Sequence, residues 1–450
     1  MIKIVQSGIK FCLPIFILFI SGLLGKAYAV LPIQEIALSN GSKAYLVQAT
    51  TIPMIDIEIS IDAGSRYDPK EKSGLAGLTA ALLTRGIQWQ GGILNEAQQA
   101  DVIADLGASI SASASGERTI VRARSLSKPD ILNSVLDLLS ATITSPVFDS
   151  QIIAREKQRI SSAITEGDTK PEVVLQKRFR KELFRNYPLA ESPSLQSITS
   201  ISADDLKRFH RDFYRQDRLI INIVGDLDVK MAKQIAEKLL TQLPKQGPVI
   251  PTLPPFVRSP ILPETDRLIR IPFQTQQTHI ALGMTAIARS SPDYFPLLVG
   301  NYILGGGGFF SRLVGEVRDK RGYAYSVFSY FQPGRDTGSF EAGLQTRNDQ
   351  ANQALVVLQE TIARFIKEGP SDSELIAAKA NLVNGFPLRL DSNRKLLDNL
   401  SAITWNQLPL NTLDVWTQQV AAVKKEDIRA AFQRHLEMGR MISILVGGAQ

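Results

Sequence analysis

Cysteine is almost absent from this chain. Of 450 residues only Cys12 is one, and it lies in an opening segment expected to be removed. Disulfides, thiolate metal sites, iron–sulfur clusters and cysteine nucleophiles are excluded together. Histidine is nearly as scarce, with only His210, His279 and His435. A hydrolytic zinc takes about three protein ligands, usually including His. No two of these histidines stand at helical or hairpin spacing. His210 and His435 fall on polar helices, where solvated surface positions are expected; His279 lies in an alternating strand and reads as structural. No G-x-S-x-G elbow is present, so a serine hydrolase lacks its nucleophile turn. Charge of one sign is also lacking. Lys+Arg 51 against Asp+Glu 44 gives +7, and without Lys3, Lys10 and Lys26 the balance is 48 against 44, or +4. That is too mild to suggest a nucleic-acid partner.

The opening segment, 1–29, carries no acid. Lys3 and Lys10 precede an apolar run from Phe11 to Leu24, and Ala27-Tyr28-Ala29 supplies the small residues a signal peptidase reads. The run is shorter than the roughly 20 residues of a membrane span. Residues 1–29 therefore read as a secretory signal peptide. No later apolar run approaches that length, so the mature chain is expected to lack a membrane span. A cysteine-free exported protein suits the bacterial periplasm.

What remains is two copies of one unit. S-A-D-D-L-K-R-F-H-R-D-F followed by L-I-I-N-I-V-G recurs as K-E-D-I-R-A-A-F-Q-R-H-L followed by M-I-S-I-L-V-G. Asp205 matches Asp427 and Gly225 matches Gly447, both at an offset of 222; Asp149 matches Asp372 at an offset of 223. This is an internal duplication of about 220 residues. Pro244, Pro248, Pro251, Pro254, Pro255, Pro260 and Pro263 lie between the copies and read as a semi-rigid extended linker. The expected domains are 30–242, a linker 243–267, and 268–450.

Each copy mixes strands and helices. Asn40-Gly41 marks a hairpin turn. Ile55, Ile57, Ile59 and Ile61 alternate with Asp56, Glu58 and Ser60, the pattern of a strand with one wet face. Helices are expected over 73–85, 95–106, 131–144 and 152–165, and an alternating hairpin over 110–125 turns at Gly116. The fold class is α+β: two tandem homologous domains, each a mainly antiparallel sheet covered on one face by helices.

Two stretches carry a resemblance. A-G-S-R-Y-D-P-K-E-K-S-G-L-A-G-L-T-A-A-L-L-T-R-G and L-G-G-G-G-F-F-S-R-L-V-G-E-V-R-D-K-R-G-Y-A-Y-S-V, set in a duplicated α+β unit, resemble the M16 zinc peptidases. That family includes the pitrilysin-like enzymes and the mitochondrial processing peptidase, and it implies an M16/LuxS-like metallopeptidase fold. Catalytic members carry H-x-x-E-H just after G-L-A, two histidines one helical turn apart with a water-activating glutamate between them. The corresponding positions here are Gly77, Ala80 and Ala81. Aligning E-K-Q-R-I-S-S-A from Glu156 puts the third ligand at Ala163. Glu156 then matches an acidic residue that supports the site in catalytic members, left here without a site to support. No zinc or other cofactor is expected in this chain.

The second copy keeps a different signature. In paired family members, a chain lacking H-x-x-E-H supplies an Arg and a Tyr, seven residues apart, that bind substrate backbone and stabilise the transition state at the partner's zinc. Arg318 and Tyr325 have that spacing. The pattern places Arg318 near the end of a helix from Ser311, Gly322 at its cap, and Tyr325 in a strand over 324–331. Gly305–Gly308 lacks the Gly-Lys-Ser/Thr of a phosphate loop and reads as a tight turn needing positive φ. The resemblance thus implies a non-catalytic subunit with two partners: an HxxEH-bearing, zinc-containing M16 chain, and a peptide or unfolded protein as substrate. The alternative is a structural or peptide-binding relative in an assembly without hydrolysis.

Overall fold

The computed structural model describes residues 32–448; the expected signal peptide lies outside them. In chain order the first half comprises β1 (Ile33–Ala37), β2 (Lys43–Gln48), β3 (Met54–Ile61), α1 (Leu75–Leu82), β4 (Gly86–Trp89), β5 (Gly92–Asn95), α2 (Glu96–Asp105), β6 (Ser109–Ala114), β7 (Thr119–Leu126), α3 (Pro129–Thr144), α4 (Ser150–Gly167), α5 (Pro171–Leu183), α6 (Leu195–Ser200), α7 (Ala203–Phe213), β8 (Leu219–Gly225) and α8 (Val229–Thr241). The second comprises α9 (Glu264–Arg267), β9 (Leu268–Ile271), β10 (Gln277–Thr285), α10 (Tyr294–Asn301), β11 (Val327–Pro333), β12 (Gly338–Arg347), α11 (Ala351–Glu368), α12 (Asp372–Asn384), α13 (Asn393–Trp405), α14 (Thr412–Ala422), α15 (Lys425–His435) and β13 (Ile442–Val446). The segment between α8 and α9 forms no regular element and is held along its length, by Arg215 donating to the Pro248 carbonyl and by Ser259 on Thr285.

The repeat is visible element by element. α3 and α11, α4 and α12, α5 and α13, and α7 and α15 all begin at the same offset of 222. The offset of 223 read at Asp149 is one too long. The N-caps of α4 and α12 are Asp149 and Ser371, which sets buried Ile153 against buried Leu375. The first sheet has the order β1-β2-β8-β3-β7-β6, and the second, read in the same sense, β9-β13-β10-β12-β11. Pairing is antiparallel except β2 on β8 and β9 on β13.

The two halves exchange a helix. α5 packs on β10 and β13 of the second sheet, while α13 packs on β2, β3 and β8 of the first. α13 buries Leu396, Leu397, Leu400 and Trp405, and α5 buries Leu175, Phe179 and Leu183. At about 1.5–3 kcal/mol for each fully buried large side chain, this exchange ties the halves together more firmly than the linker does.

The exchange corrects the reading of β3 as half wet. Its isoleucines do face the first half's own helices, in one core with α1, α3, α7 and α8. Its polar face meets α13 instead of water. Glu58 is fully buried, bonded by Ser60, by Ser401 of α13 and by Arg122, which also reaches Asp398 at 2.6 Å. A buried carboxylate needs such a complete set of donors to offset its lost hydration. Glu117, in the β6–β7 turn, adds bonds to the Arg335 amide and the Trp405 indole, each 2.8 Å.

Two histidines are not the solvated surface residues expected. His210 Nε2 lies 2.6 Å from the Ile143 carbonyl, tying α7 to α3, and burial lowers its pKa. His435 contacts Asp293 at 2.7 Å. His279 sits in β10 between Gln345 and Val446, a structural place.

Candidate functional site

α1 begins at Leu75 because the Asp68 carboxylate accepts the N–H groups of Gly74 and Ala76, meeting the free donors of its first turn. Gly77, Ala80 and Ala81 lie on this helix, and Ala163 on α4, which packs against it. Gly77 and Ala163 are exposed, Ala81 is partly so, and Ala80 is fully buried. Around Gly77 there is open space: a Cβ built there meets nothing within 4 Å. None of the four positions has a donor atom, and Ala80 points into the core rather than toward a surface site. They do not fit a zinc ion. Among the described residues no group of three or more His, Cys, Asp and Glu could hold a metal.

Glu156 is not left without partners. It is 2% exposed and surrounded by guanidinium groups: Arg159 at 2.8 Å, Arg155 at 3.1 Å and Arg85 at 3.6 Å. Burial pushes its carboxyl up, but the bonds from Arg159 and Arg155 outweigh this and hold it below the usual range. Arg85 and Arg155 both also pair with Glu96 at the start of α2. Arg85 stands one turn beyond Ala81, so an arginine–glutamate cluster now links α1, α2 and α4 at the end of the helix that carries the donorless positions.

In the second half, Arg318 and Tyr325 come together. The Arg318 guanidinium lies 5.3 Å from the Tyr325 ring centre and 4.9 Å from that of Phe309. Tyr325 is 83% exposed and Phe310 92%. The neighbouring arginines are engaged: Arg312 by Glu374, and Arg321 and Arg364 by Glu316. Among the described residues Arg318 has only Asp319, at 3.9 Å. It is the arginine of this turn left able to take up an anionic or carbonyl oxygen.

Backbone geometry explains the pairing. Arg318 belongs to a π-helical turn over Val314–Asp319 rather than a regular helix end. Such turns alter side-chain direction and recur at functional sites. Gly322 then takes φ +63, and Tyr323 returns its N–H to the Val317 carbonyl. Tyr325 precedes β11, which begins at Val327, instead of lying in it. Of Gly305–Gly308 only Gly308 has positive φ. Gly305 is required by close approach instead, since a Cβ there would come within 2.5 Å of Ser329 on β11. The exposed Phe309 and Phe310 were not singled out from sequence. The signal available was two aromatics directly after four glycines, with no helical or strand period to bury them.

Two family models cover most of the chain: Insulinase (Peptidase family M16) over residues 44–194 and Peptidase M16 inactive domain over 200–382. A crystal structure of a peptidase M16 inactive domain from Pseudomonas fluorescens matches with TM-score 0.87 and 31% identity, covering 93% of this chain and 99% of that one. The chain belongs to peptidase family M16. Among its M16 relatives, the mitochondrial-processing peptidase subunit beta of Saccharomyces cerevisiae is 28% identical, over 83% of this chain and 82% of that protein. The Helicobacter pylori protein named Non-peptidase homolog YmxG is 24% identical, over 88% and 89%. Among the described residues of this M16 chain no helix is long and apolar enough to cross a membrane.

Proposed function

We propose that this M16 chain is the non-catalytic subunit of a two-chain zinc peptidase. Its partner would be an HxxEH-bearing M16 chain that holds the zinc and cleaves peptides or unfolded protein. The observation that carries this reading is the contrast between the halves. Donor atoms are lost at Gly77, Ala80, Ala81 and Ala163, yet Arg318 and Tyr325 converge at the surface with no close acid holding Arg318. Structural upkeep does not call for an exposed phenol stacked on a loosely held guanidinium. Transition-state stabilisation does, because developing oxyanion charge is met by placed donors. Phe309 and Phe310 would offer apolar contact to the bound peptide. The basic, acid-free leader supports export to a periplasm, where both chains would meet.

The test is reconstitution. A zinc-bearing M16 chain from the same cell is assayed on an unfolded peptide, alone and with this chain. Stimulation in a stable complex is expected. A stable complex without any change in hydrolysis would favour the purely structural role.

A further inference from the structure

The second sheet is one strand short of the first. β2 and β9 hold the same place, each parallel to the strand that closes its half. Ala44, Tyr45, Leu46 and Val47 correspond to Leu268, Ile269, Arg270 and Ile271, as the pairings with β8 and β13 show. In the first half the outer side of β2 is covered by antiparallel β1, which sets Gln34 against Leu46 and Ile36 against Ala44. Among the described residues β9 has no such neighbour and ends its sheet.

Which groups are left free follows from parity. Gly447 donates to the Ile271 carbonyl at 3.2 Å. In a parallel ladder alternate residues bond to the same side. Ile269 and Ile271 therefore serve β13, and Leu268 and Arg270 turn their N–H and C=O groups outward. Among the described residues no hydrogen bond reaches those groups. A groove of about 450 Å³ runs beside them, walled by exposed Leu268 and Val356.

The side chains indicate what would fit. Arg267 stands where the first half has Lys43, and Lys43 bridges Glu35 of β1 at 2.8 Å. Among the described residues neither Arg267 nor Arg270 has a carboxylate within ion-pair distance, and the buried Arg267 Nε has no acceptor at all. Glu264 and Glu360 share the groove's lining, so a polyanionic tail would be repelled. A second copy pairing through its own β9 would bring like-charged arginines together, which is unfavourable across a strand pair.

We propose that the outer edge of β9 is a docking site for an extended segment of another chain, pairing antiparallel as β1 does, with apolar residues flanking an acid that meets Arg267. Main-chain bonds to Leu268 and Arg270 supply affinity, and the acid supplies register.

The probe is a dye-labelled peptide of residues 32–39, Pro-Ile-Gln-Glu-Ile-Ala-Leu-Ser, titrated into the purified chain by anisotropy. Saturable binding is expected, with slowed hydrogen exchange at the Leu268 and Arg270 amides. N-methylation of the peptide's Gln34 and Ile36 amides, which would face β9, should weaken binding at least tenfold; N-methylation at Glu35 should not. Glu35→Lys in the peptide should also weaken it. These changes are in the ligand, so folding of the protein is not at stake. Absent saturable binding, or equal binding by all the peptides, would overturn the proposal and leave Arg270 as a charge that keeps the edge unpaired. Slow exchange at Leu268 and Arg270 in the free chain would overturn it too, showing the edge already covered by the chain itself or a second copy.

Discussion

Arg318 lies with its guanidinium carbon 5.3 Å from the centre of the Tyr325 ring, the phenol exposed beyond it. Two donors at one surface point suit a carbonyl oxygen that gains charge. With a zinc-bearing partner, Arg318→Ala or Tyr325→Phe should lower kcat/KM about a hundredfold, the effect of losing one placed donor worth about 3 kcal/mol. The complex should stay assembled on size exclusion, because neither side chain is buried. Full activity with an intact complex would leave both as ordinary surface residues.

Metal analysis of the purified chain after dialysis should find no stoichiometric zinc. Restoring binding should require Gly77→His, Ala81→His and Ala163→Glu together, with Ala80→Glu added for chemistry. The structure adds a cost. Ala80 is fully buried, so a glutamate there forces a charge into a packed core. The quadruple variant should melt below the triple one. Tight zinc binding by the two histidines alone would show that Ala163 is not the third position.

The arginine cluster makes its own prediction. Glu156→Gln removes the charge that three guanidinium groups share. Breaking a buried ion pair from one side costs about 3–5 kcal/mol, and the partly exposed arginines here should reduce that to about 2 kcal/mol. Urea unfolding measures it. A change no larger than that of an ordinary surface substitution, about 0.5 kcal/mol, would mean the cluster only fills space.

Much of the fold was legible because duplication repeats the same periodicities at one fixed offset. What was hidden is whatever depends on contacts distant in the chain or on irregular backbone. Asp56, Glu58 and Ser60 alternate with isoleucines as a solvated face would, and nothing local says that Ser401 and Arg122 wait on the far side. Arg318 and Tyr325 were legible only as a spacing. Their meeting depends on a π-helical turn and the left-handed Gly322, which helix periodicity does not encode. Glu156 was read against a vanished metal; Arg155 and Arg159 stand beside it on α4, but Arg85, just past the end of α1, is brought to it only by the packing of α1 on α4.

Acid should destabilise the chain through carboxylates held low by their partners. Burial pushes the Asp205 carboxyl up, but bonds from Lys72 and Ser202 overcome this and hold it at about 2. Burial likewise raises Glu374, and Arg312 and Ser371 bring it down to about 2. Both folded values lie below the unfolded ones, so their contribution is full above about pH 5 and is lost as pH falls toward 2. Asp205→Asn should lower stability at pH 7 by about 1–2 kcal/mol, since the cap keeps one acceptor. The same variant should flatten the fall between pH 5 and pH 2. An unchanged acid limb would mean that other carboxylates govern it.

Phe310 tests whether the exposed aromatics serve a ligand. At 92% exposure it contributes almost nothing to the core, so Phe310→Ser should leave the melting temperature within a degree or so. Phe310 directly follows Phe309, whose ring lies 4.9 Å from the Arg318 guanidinium, and the two exposed rings form an apolar surface beside that site. If the ring lies along a bound peptide, its removal takes away contact made equally in ground and transition states. KM should then rise several-fold while kcat holds, the mark of uniform binding. Arg318→Ala should do the reverse, lowering kcat with little change in KM. Measured side by side in the reconstituted complex on one apolar peptide, the two variants separate gripping from catalysis. Should both leave kcat and KM unchanged, the Arg318–Tyr325–Phe310 surface plays no part in hydrolysis by the complex.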